Sequence, residues 1–157
     1  MKIYVASSWR NQHQPDVVAL LRGAGHEVYD FRNPGPERHG FGWPEVDPAW
    51  KNWNAEDYRN GLDHPIARAG FLADFEAMRW ADACVLVHPC GRSAHLELGW
   101  SIGAGKLTVV YFPLEAAKPG AVEPELMAML AGGILIGPAE LLGWLSLWND
   151  SMRTKTP

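Results

Sequence analysis

The segment "GRSAHLELGWSIGAGK" (residues 91–106) carries a single carboxylate, that of Glu97. Leu96 and Leu98 flank it, and the helix predicted around it is nearly free of charge. The carboxyl end of a central strand in a parallel sheet is where α/β proteins bind ligands, so a carboxylate there is placed to take part in chemistry. The alternative is structural, because an acid near a helix N-terminus complements the helix dipole and contributes about 0.3–1 kcal/mol. We expect Glu97 to be functional.

A second carboxylate, Asp74, lies among apolar residues in the predicted helix segment "FLADFEAMRWAD". An apolar environment would raise the pKa of Asp74 and allow it to donate a proton. Two carboxylates in different environments are a common arrangement for combining a proton donor with a nucleophile. The alternative is a solvated helix face that Asp74 shares with Glu76 and Arg79.

The turn before the Glu97 helix contains Gly91, Arg92 and Ser93. Ser93 is a good helix N-cap residue. Backbone N–H groups at a helix N-terminus, together with the Arg92 guanidinium, could also bind an anionic group such as a phosphate. Capping and binding are both open here, and they are compatible with each other.

Several other chemistries do not fit the spacing of these residues. The segment "GWSIGAGK" has one residue too many between its outer glycines for a phosphate-binding P-loop, and Leu107 replaces the required Ser or Thr. The segments "PC" and "HLE" are in the wrong order for a zinc deaminase, which also needs a second cysteine. Ser7 and Ser8 have no evident partners for a hydrolytic triad.

A metal site at His88, Cys90 and His95 would require a strand end and a helix to bring the three side chains together. We regard this as a minor alternative. We therefore predict no metal and no cofactor.

Helical and strand patterns alternate along the chain and predict an α/β fold. It would be a three-layer, doubly wound sandwich of the flavodoxin-like type, with a five-stranded parallel sheet of order 2-1-3-4-5. Ligands bind such sheets where the strand order reverses, beyond the carboxyl ends of strands one and three. The strands are predicted at residues 2–6, 26–31, 84–88, 107–112 and 133–137, and the helices at 14–25, 66–83, 93–106, 123–131 and 138–148.

Residues 32–65 interrupt this alternation with a Pro- and Gly-rich segment that has no sustained periodicity. Loops of this length within a domain are uncommon and are usually functional or disordered. Its tryptophans argue against disorder, so we interpret it as an insertion that covers the substrate, with a short helix near 55–62. We predict one domain over residues 1–150, this insertion included, and a polar tail at 151–157.

Charge and composition limit the classes of partner. The formal net charge is −4, which disfavours polymeric nucleic acid because such partners usually require a basic surface. We see no signal peptide and no apolar run long enough to span a membrane. Two cysteines, read as reduced thiols, suggest a cytoplasmic protein without a membrane partner.

The segments "KIYVASSW", "ADFEAMRWADACVLV" and "GRSAHLELGWSIGAGK" together resemble the nucleoside 2-deoxyribosyltransferase family, including its nucleotide N-hydrolase relatives. The resemblance spans residues 2–112 and is most specific in the Glu-Leu-Gly helix with its Gly-Lys ending. It implies a nucleophilic Glu97 that attacks the anomeric carbon, and an Asp74 that handles the proton of the leaving base. It also implies that Tyr4 orients the nucleophile.

The resemblance also implies where the substrate binds. Ser7, Ser8 and Trp9 would line the sugar and base pocket, and Arg92 with Ser93 would hold a 5′-phosphate. Transferases of the family carry an aspartate in the turn before the glutamate helix, and "HPCGRS" has none, so this chain departs from the family pattern there. Aromatic side chains stack on nucleobases and contribute about 1–3 kcal/mol per base. We predict this role for Trp9, Trp43, Trp50 and Trp53. The alternative is that they form a small hydrophobic cluster that pins the loop.

The predicted function is therefore cleavage or transfer of the N-glycosidic bond of a nucleoside, a deoxynucleoside or a 5′-monophosphate, through a glycosyl-Glu97 intermediate. The resemblance also implies a homodimer or a higher homo-oligomer. The alternatives are a nucleotide sensor or interaction module of the Toll/interleukin-1-receptor-like type, which could cleave NAD, and a member of the family that has lost its activity.

Overall fold

Apolar strands form the five-stranded, all-parallel sheet at the centre of the protein. The computed structural model describes residues 1–35 and 39–153, with side chains described up to residue 148. The strand order β2-β1-β3-β4-β5 confirms the predicted fold class and topology. The strands are β1 (Lys2–Ala6), β2 (Glu27–Tyr29), β3 (Ala83–Val87), β4 (Leu107–Phe112) and β5 (Ile134–Ile136).

Both faces of the central strands are buried, which explains why their sequences are almost continuously apolar. β3 is buried at all five positions. One face carries Ile3, Val5, Val85 and Val87, which pack in a single core cluster with residues of two helices. Because side chains alternate along a strand, the other face carries the intervening residues, among them Tyr4.

The described residues contain five α-helices, and each lies near a predicted helix. The predicted short helix at 55–62 is present over those residues. The described part of the chain also contains four short 3₁₀ segments: Trp43–Glu45, Trp50–Asn52, Leu114–Ala116 and Leu126–Leu130. The helices are α1 (Gln14–Gly23), α2 (Ala55–Leu62), α3 (Pro65–Trp80), α4 (Arg92–Gly103) and α5 (Gly137–Arg153).

The prediction of an α-helix at residues 123–131 is wrong. The structure has only a 3₁₀ segment there, Leu126–Leu130. The chain is already hydrogen-bonded to β4 by Gly132, whose N–H donates to the Thr108 carbonyl at 2.8 Å. Pairing with the sheet therefore begins too soon after Pro124 for a longer α-helix to form.

The packing of the chain divides it into two units. The first consists of residues 1–29 together with the chain from residue 81 onward, and the second of residues 30–80. The predicted insertion 32–65 falls in the second unit, which also includes α3. Of the predicted tail, residues 151–153 continue α5 and residues 154–157 lie outside the described part.

Within the first unit, helices cover both faces of the sheet. Val17 and Leu21 of α1 and Leu141 and Leu145 of α5 belong to the core cluster on one face. α4 packs against β1, β3 and β4 on the other face. Over the described residues, none of the helices combines the length and apolar character needed to span a membrane.

Candidate active site

The turn that follows β1 is tied to the end of β3 by polar side chains. The two strands are parallel neighbours, with Ala6 paired to Leu86, so their carboxyl ends meet at one edge of the sheet. The Ser7 hydroxyl donates a hydrogen bond to the Val87 carbonyl at 2.9 Å. The Ser8 hydroxyl accepts from the Arg10 N–H at 3.2 Å. Two of the predicted pocket residues therefore hold the turn in shape.

Asn11 is a central residue of this turn that the sequence analysis did not identify. Its buried Nδ2 donates to Ser7 Oγ at 2.9 Å and to the Val87 carbonyl at 3.1 Å. Its Oδ1 accepts from the His13 N–H at 2.9 Å. Asn side chains in turns commonly form a hydrogen bond with the backbone two residues onward. An Asn between a predicted strand and a predicted helix could therefore have indicated a turn-forming residue.

Tyr4 lies in the centre of β1 and is almost fully buried. In register it stands between Tyr29 of β2 and Cys84 of β3. Its ring stacks on that of Tyr29, with centroids 5.5 Å apart and planes 12° apart. Tyr4 is therefore on the face of the sheet that α4 covers, the same face as the predicted nucleophile's helix.

The helix that carries Glu97 begins earlier than predicted. Gly91, in an extended conformation, is the N-cap residue, and no side chain caps this end. Capping, one of the two roles left open for Ser93, is therefore not its role, because Ser93 lies inside the first turn. Arg92 and Ser93 are both exposed, so their side chains are open to solvent at this helix end.

Glu97 is the sixth residue of α4 and lies in its second turn. The dipole effect of a helix falls off within the first turn, so complementing the dipole explains little of its presence there. The side chain is half-buried. The same face of the helix carries Ala94 and Ser101, both buried against the sheet.

The negative charge of Glu97 contributes to raising the pKa of two cysteine thiols. Burial raises the pKa of the Cys84 thiol to about 12, with the Glu97 charge adding to the rise while Ser101 and Lys106 oppose it. Burial also raises the pKa of the Cys90 thiol to about 11, and the Glu97 charge again adds to it. The negative charge of Glu97 therefore opposes ionisation of both thiols.

Beyond the end of β3, His88, Cys90 and His95 converge. A metal site at these residues requires the strand end and the helix to bring the three side chains together, and the structure does so. Their ligand atoms all lie within 4.8 Å of one another. The His88 ring stacks on Phe112, with centroids 4.3 Å apart, and burial followed by the charge of His95 lowers the pKa of His88.

A cavity of about 250 Å³ borders this cluster in the first unit. Leu98, Ile102 and Val110 supply an apolar wall, and Glu125 contributes a carboxylate. Small-molecule sites usually combine apolar walls with a few polar groups. The residues that line the cavity are His88, His95, Leu98, Gly99, Ile102, Val110, Glu125, Met127, Ala128 and Leu130.

The second unit contains a packed aromatic cluster. Trp43 meets Phe41 and Trp53 edge to face, at centroid distances of 4.9 Å and 5.4 Å. The Trp53 indole N–H donates to the Asp47 carboxylate at 2.5 Å, and its ring packs directly over Gly61. Trp53 therefore pins the segment to α2, as the alternative interpretation of the loop tryptophans proposed.

Trp43, Trp50 and Trp53 also line a cavity of about 370 Å³ in the second unit. Tyr58 of α2 adds a fourth aromatic side chain. A cavity with several aromatic walls is suited to a flat ring, which stacks on such faces. Trp9, by contrast, belongs to the first unit and is half-exposed.

Asp74 lies on α3 in the second unit and is half-buried. Around it on the helix, Phe71 and Phe75 stack with their centroids 5.5 Å apart. The first unit thus holds Glu97, Tyr4, Ser7, Ser8, Trp9, Gly91, Arg92 and Ser93, and the second holds Asp74, Trp43 and Trp50.

Solved structures with this arrangement of strands and helices include a 2-deoxyribosyltransferase from Bacillus psychrosaccharolyticus. The two chains share 22% identity with a TM-score of 0.56, over 90% of each chain. A CMP N-glycosidase from Clostridium botulinum aligns with a TM-score of 0.49 and 15% identity, over 93% of this chain and 99% of that one. No known family profile and no curated protein sequence matches this chain. The likeness confirms the fold that the predicted resemblance implied.

Proposed function

We propose that the protein cleaves or transfers the N-glycosidic bond of a nucleoside, a deoxynucleoside or a 5′-monophosphate, with Glu97 as the nucleophile. The observation that carries the proposal is the position of Glu97. It is a half-buried carboxylate on the helix that follows β3, at the edge of the sheet where the strand order reverses. The fold shared with a 2-deoxyribosyltransferase supports a deoxyribosyl group as the transferred unit.

The reaction has two steps. In the first, a Glu97 oxygen bonds to the anomeric carbon while the bond from that carbon to the base nitrogen breaks. The electron pair of that bond leaves with the base, which takes up a proton, and a glycosyl ester of Glu97 remains. In the second, water or another base attacks the same carbon, gives up a proton and displaces the Glu97 carboxylate, so that the proton taken up in the first step is returned. Water gives hydrolysis, and a base gives transfer.

Other residues have proposed roles in this scheme. Asp74 keeps the role that the resemblance implies, donation of the proton to the leaving base. Tyr4, buried on the face of the sheet that α4 covers, would orient the nucleophile. Ser7 acts through its bonds to Val87 and Asn11, which hold the turn beside the site.

Recognition of the substrate would use two surfaces. The exposed Arg92 and the free N–H groups at the start of α4 suit a 5′-phosphate. The aromatic residues Trp43 and Trp50 suit a base. A requirement for a 5′-phosphate that disappears in Arg92→Ala would assign the first of these roles.

The test is detection of free base by chromatography. Ribo- and deoxyribonucleosides and their 5′-monophosphates would be incubated with the protein, with and without an acceptor base. We expect base release or exchange from at least one substrate, and a loss of about 10³-fold or more in Glu97→Gln. Glu123→Gln, a change at an exposed glutamate of the same unit, is the matched control and should retain full activity.

The covalent step has its own readout. A 2-fluoro analogue of the accepted nucleoside slows both steps by destabilising the oxocarbenium-like transition state. Intact-protein mass spectrometry should then show one added glycosyl group, located on the peptide that contains Glu97. Base release that survives in Glu97→Gln would contradict the proposal, whereas nucleotide binding without any release would favour a binding module.

A further inference from the structure

The strongest feature outside the proposed reaction is the cluster of His88, Cys90 and His95. His88 and Cys90 follow β3, and His95 lies in the first turn of α4. Cys90 Sγ is 3.7 Å from His95 Nδ1 and 4.0 Å from His95 Nε2. All three residues are half-buried, so the site combines partial access from solvent with limited mobility.

These distances are close to those of a tetrahedral metal site. With Zn–S near 2.3 Å and Zn–N near 2.0–2.1 Å, tetrahedral angles place the S and N ligand atoms about 3.6 Å apart. The measured separations of Cys90 and His95 exceed this by a few tenths of an ångström. A small side-chain rotation would therefore bring the two residues onto one ion.

His95 is held in an orientation that metal-binding histidines use. Its Nδ1 lies 3.0 Å from the Gly91 carbonyl oxygen. A carbonyl can only accept, so Nδ1 must donate, and Nε2 then carries the lone pair. Donation of the second ring N–H to a backbone carbonyl is the usual outer-shell support of a metal-binding histidine.

We propose that His88, Cys90 and His95 form a binding site for a transition-metal ion, with Zn²⁺ the best fit. One thiolate and two imidazoles favour zinc and its neighbours over magnesium or calcium, which prefer oxygen ligands. Three protein ligands leave a fourth position on the ion. His88 and His95 also line the cavity of about 250 Å³, so this position would be open to a small ligand or to water.

The chemistry of the ligands also fits the binding of a cation. Because a cysteine ligand must be deprotonated, binding of the ion would release the Cys90 thiol proton. The stacking of His88 on Phe112 fixes the plane of its ring while leaving its nitrogens at the ring edge.

Cobalt substitution tests the proposal directly. The complete chain without an affinity tag would be stripped with a chelator and titrated with Co²⁺ under reducing conditions. We expect one Co²⁺ per chain, a thiolate-to-cobalt charge-transfer band in the near ultraviolet, and visible bands as intense as those of tetrahedral cobalt. Added Zn²⁺ should displace the Co²⁺ and abolish both sets of bands.

Single variants assign the ligands. Cys90→Ser should remove the charge-transfer band and weaken Zn²⁺ binding by about 100-fold, and His95→Gln should weaken it similarly. The matched controls are Cys84→Ala and His39→Gln, which change the other cysteine and an exposed histidine. Both controls should retain the bands.

Three results would overturn the proposal: no stoichiometric Co²⁺ binding by the unaltered chain, a charge-transfer band that persists in Cys90→Ser, or a band that is lost in Cys84→Ala with its fold intact. Circular dichroism would establish that each variant is folded. The readout does not depend on catalysis, so it stands or falls separately from the proposed reaction of Glu97.

Discussion

The two units of the chain carry their candidate functional residues in different ways. In the first, Tyr4 and the turn after β1 are part of, or directly bonded to, a sheet whose strand β3 is buried at every position. In the second, the tryptophans are half-buried and are held mainly by ring contacts and by Gly61. A buried sheet fixes a reactive group closely, whereas an aromatic cluster offers an adaptable surface for a flat ligand.

The largest expected effect concerns Asp74 of the second unit and its role in the proposed reaction. Asp74→Asn should lower base release by about 10²–10⁴-fold, since a general acid contributes that much. A deoxyribosyl substrate with a nitrophenolate leaving group needs no proton, so its cleavage should be nearly unaffected. Steady-state rates with both substrates, compared with those of Glu76→Gln on the same helix, would check this. An equal loss on both substrates would show that Asp74 has some other role.

The next effect concerns the rigidity of the first unit. Asn11→Ala removes three hydrogen bonds at a buried position and should lower the free energy of unfolding by about 2–3 kcal/mol. Urea unfolding measures this, with the exposed Gln12→Ala as the control. If the loss were under about 0.5 kcal/mol, the turn would not depend on Asn11.

The next effect, on the free energy of unfolding, tests the packing of the second unit. A Cβ added at Gly61 would lie 2.3 Å from the Trp53 ring, so Gly61→Ala should cost about 1–3 kcal/mol. Gly99→Ala is the control from the first unit, because a Cβ there would meet no atom within 4 Å apart from its chain neighbours and its own helix backbone. The better helix propensity of alanine should stabilise this variant by up to about 1 kcal/mol.

A double-variant cycle sharpens this test. In a Trp53→Leu background, the cost of Gly61→Ala should largely disappear, because the smaller side chain removes the clash. A cost that stayed unchanged in that background would show that the clash with Trp53 is not its cause.

The smallest effect is electrostatic. The Trp53 N–H, followed by the Ala49 N–H, lowers the pKa of the Asp47 carboxyl below its ordinary value of about 3.9. A pKa lowered in the folded state stabilises the protein above the unfolded pKa, and this stabilisation is lost as the pH falls through the folded pKa. Urea midpoints measured between about pH 5 and pH 3 should therefore fall less steeply in Trp53→Phe. An identical slope would contradict the role of Trp53.

The sequence by itself determined the sheet and the position of its functional edge. Strands buried on both faces must be almost continuously apolar, and β-α-β connections favour parallel pairing, so the strand order could be inferred from pattern alone. The position of Glu97 after β3 followed from that order. Local signals were also sufficient for α2, where Asn54 caps the helix as a short-range pattern allows.

Only the tertiary structure decided which side chains meet. Helix capping by Gly91 in place of Ser93 and the short 3₁₀ segment at Leu126–Leu130 depend on where neighbouring strands place the chain ends. The contact between Asn11 and Val87, 76 positions apart, requires the sheet to form first. The convergence of His88, Cys90 and His95 likewise depends on the angle between a strand end and a helix, which sequence spacing does not encode.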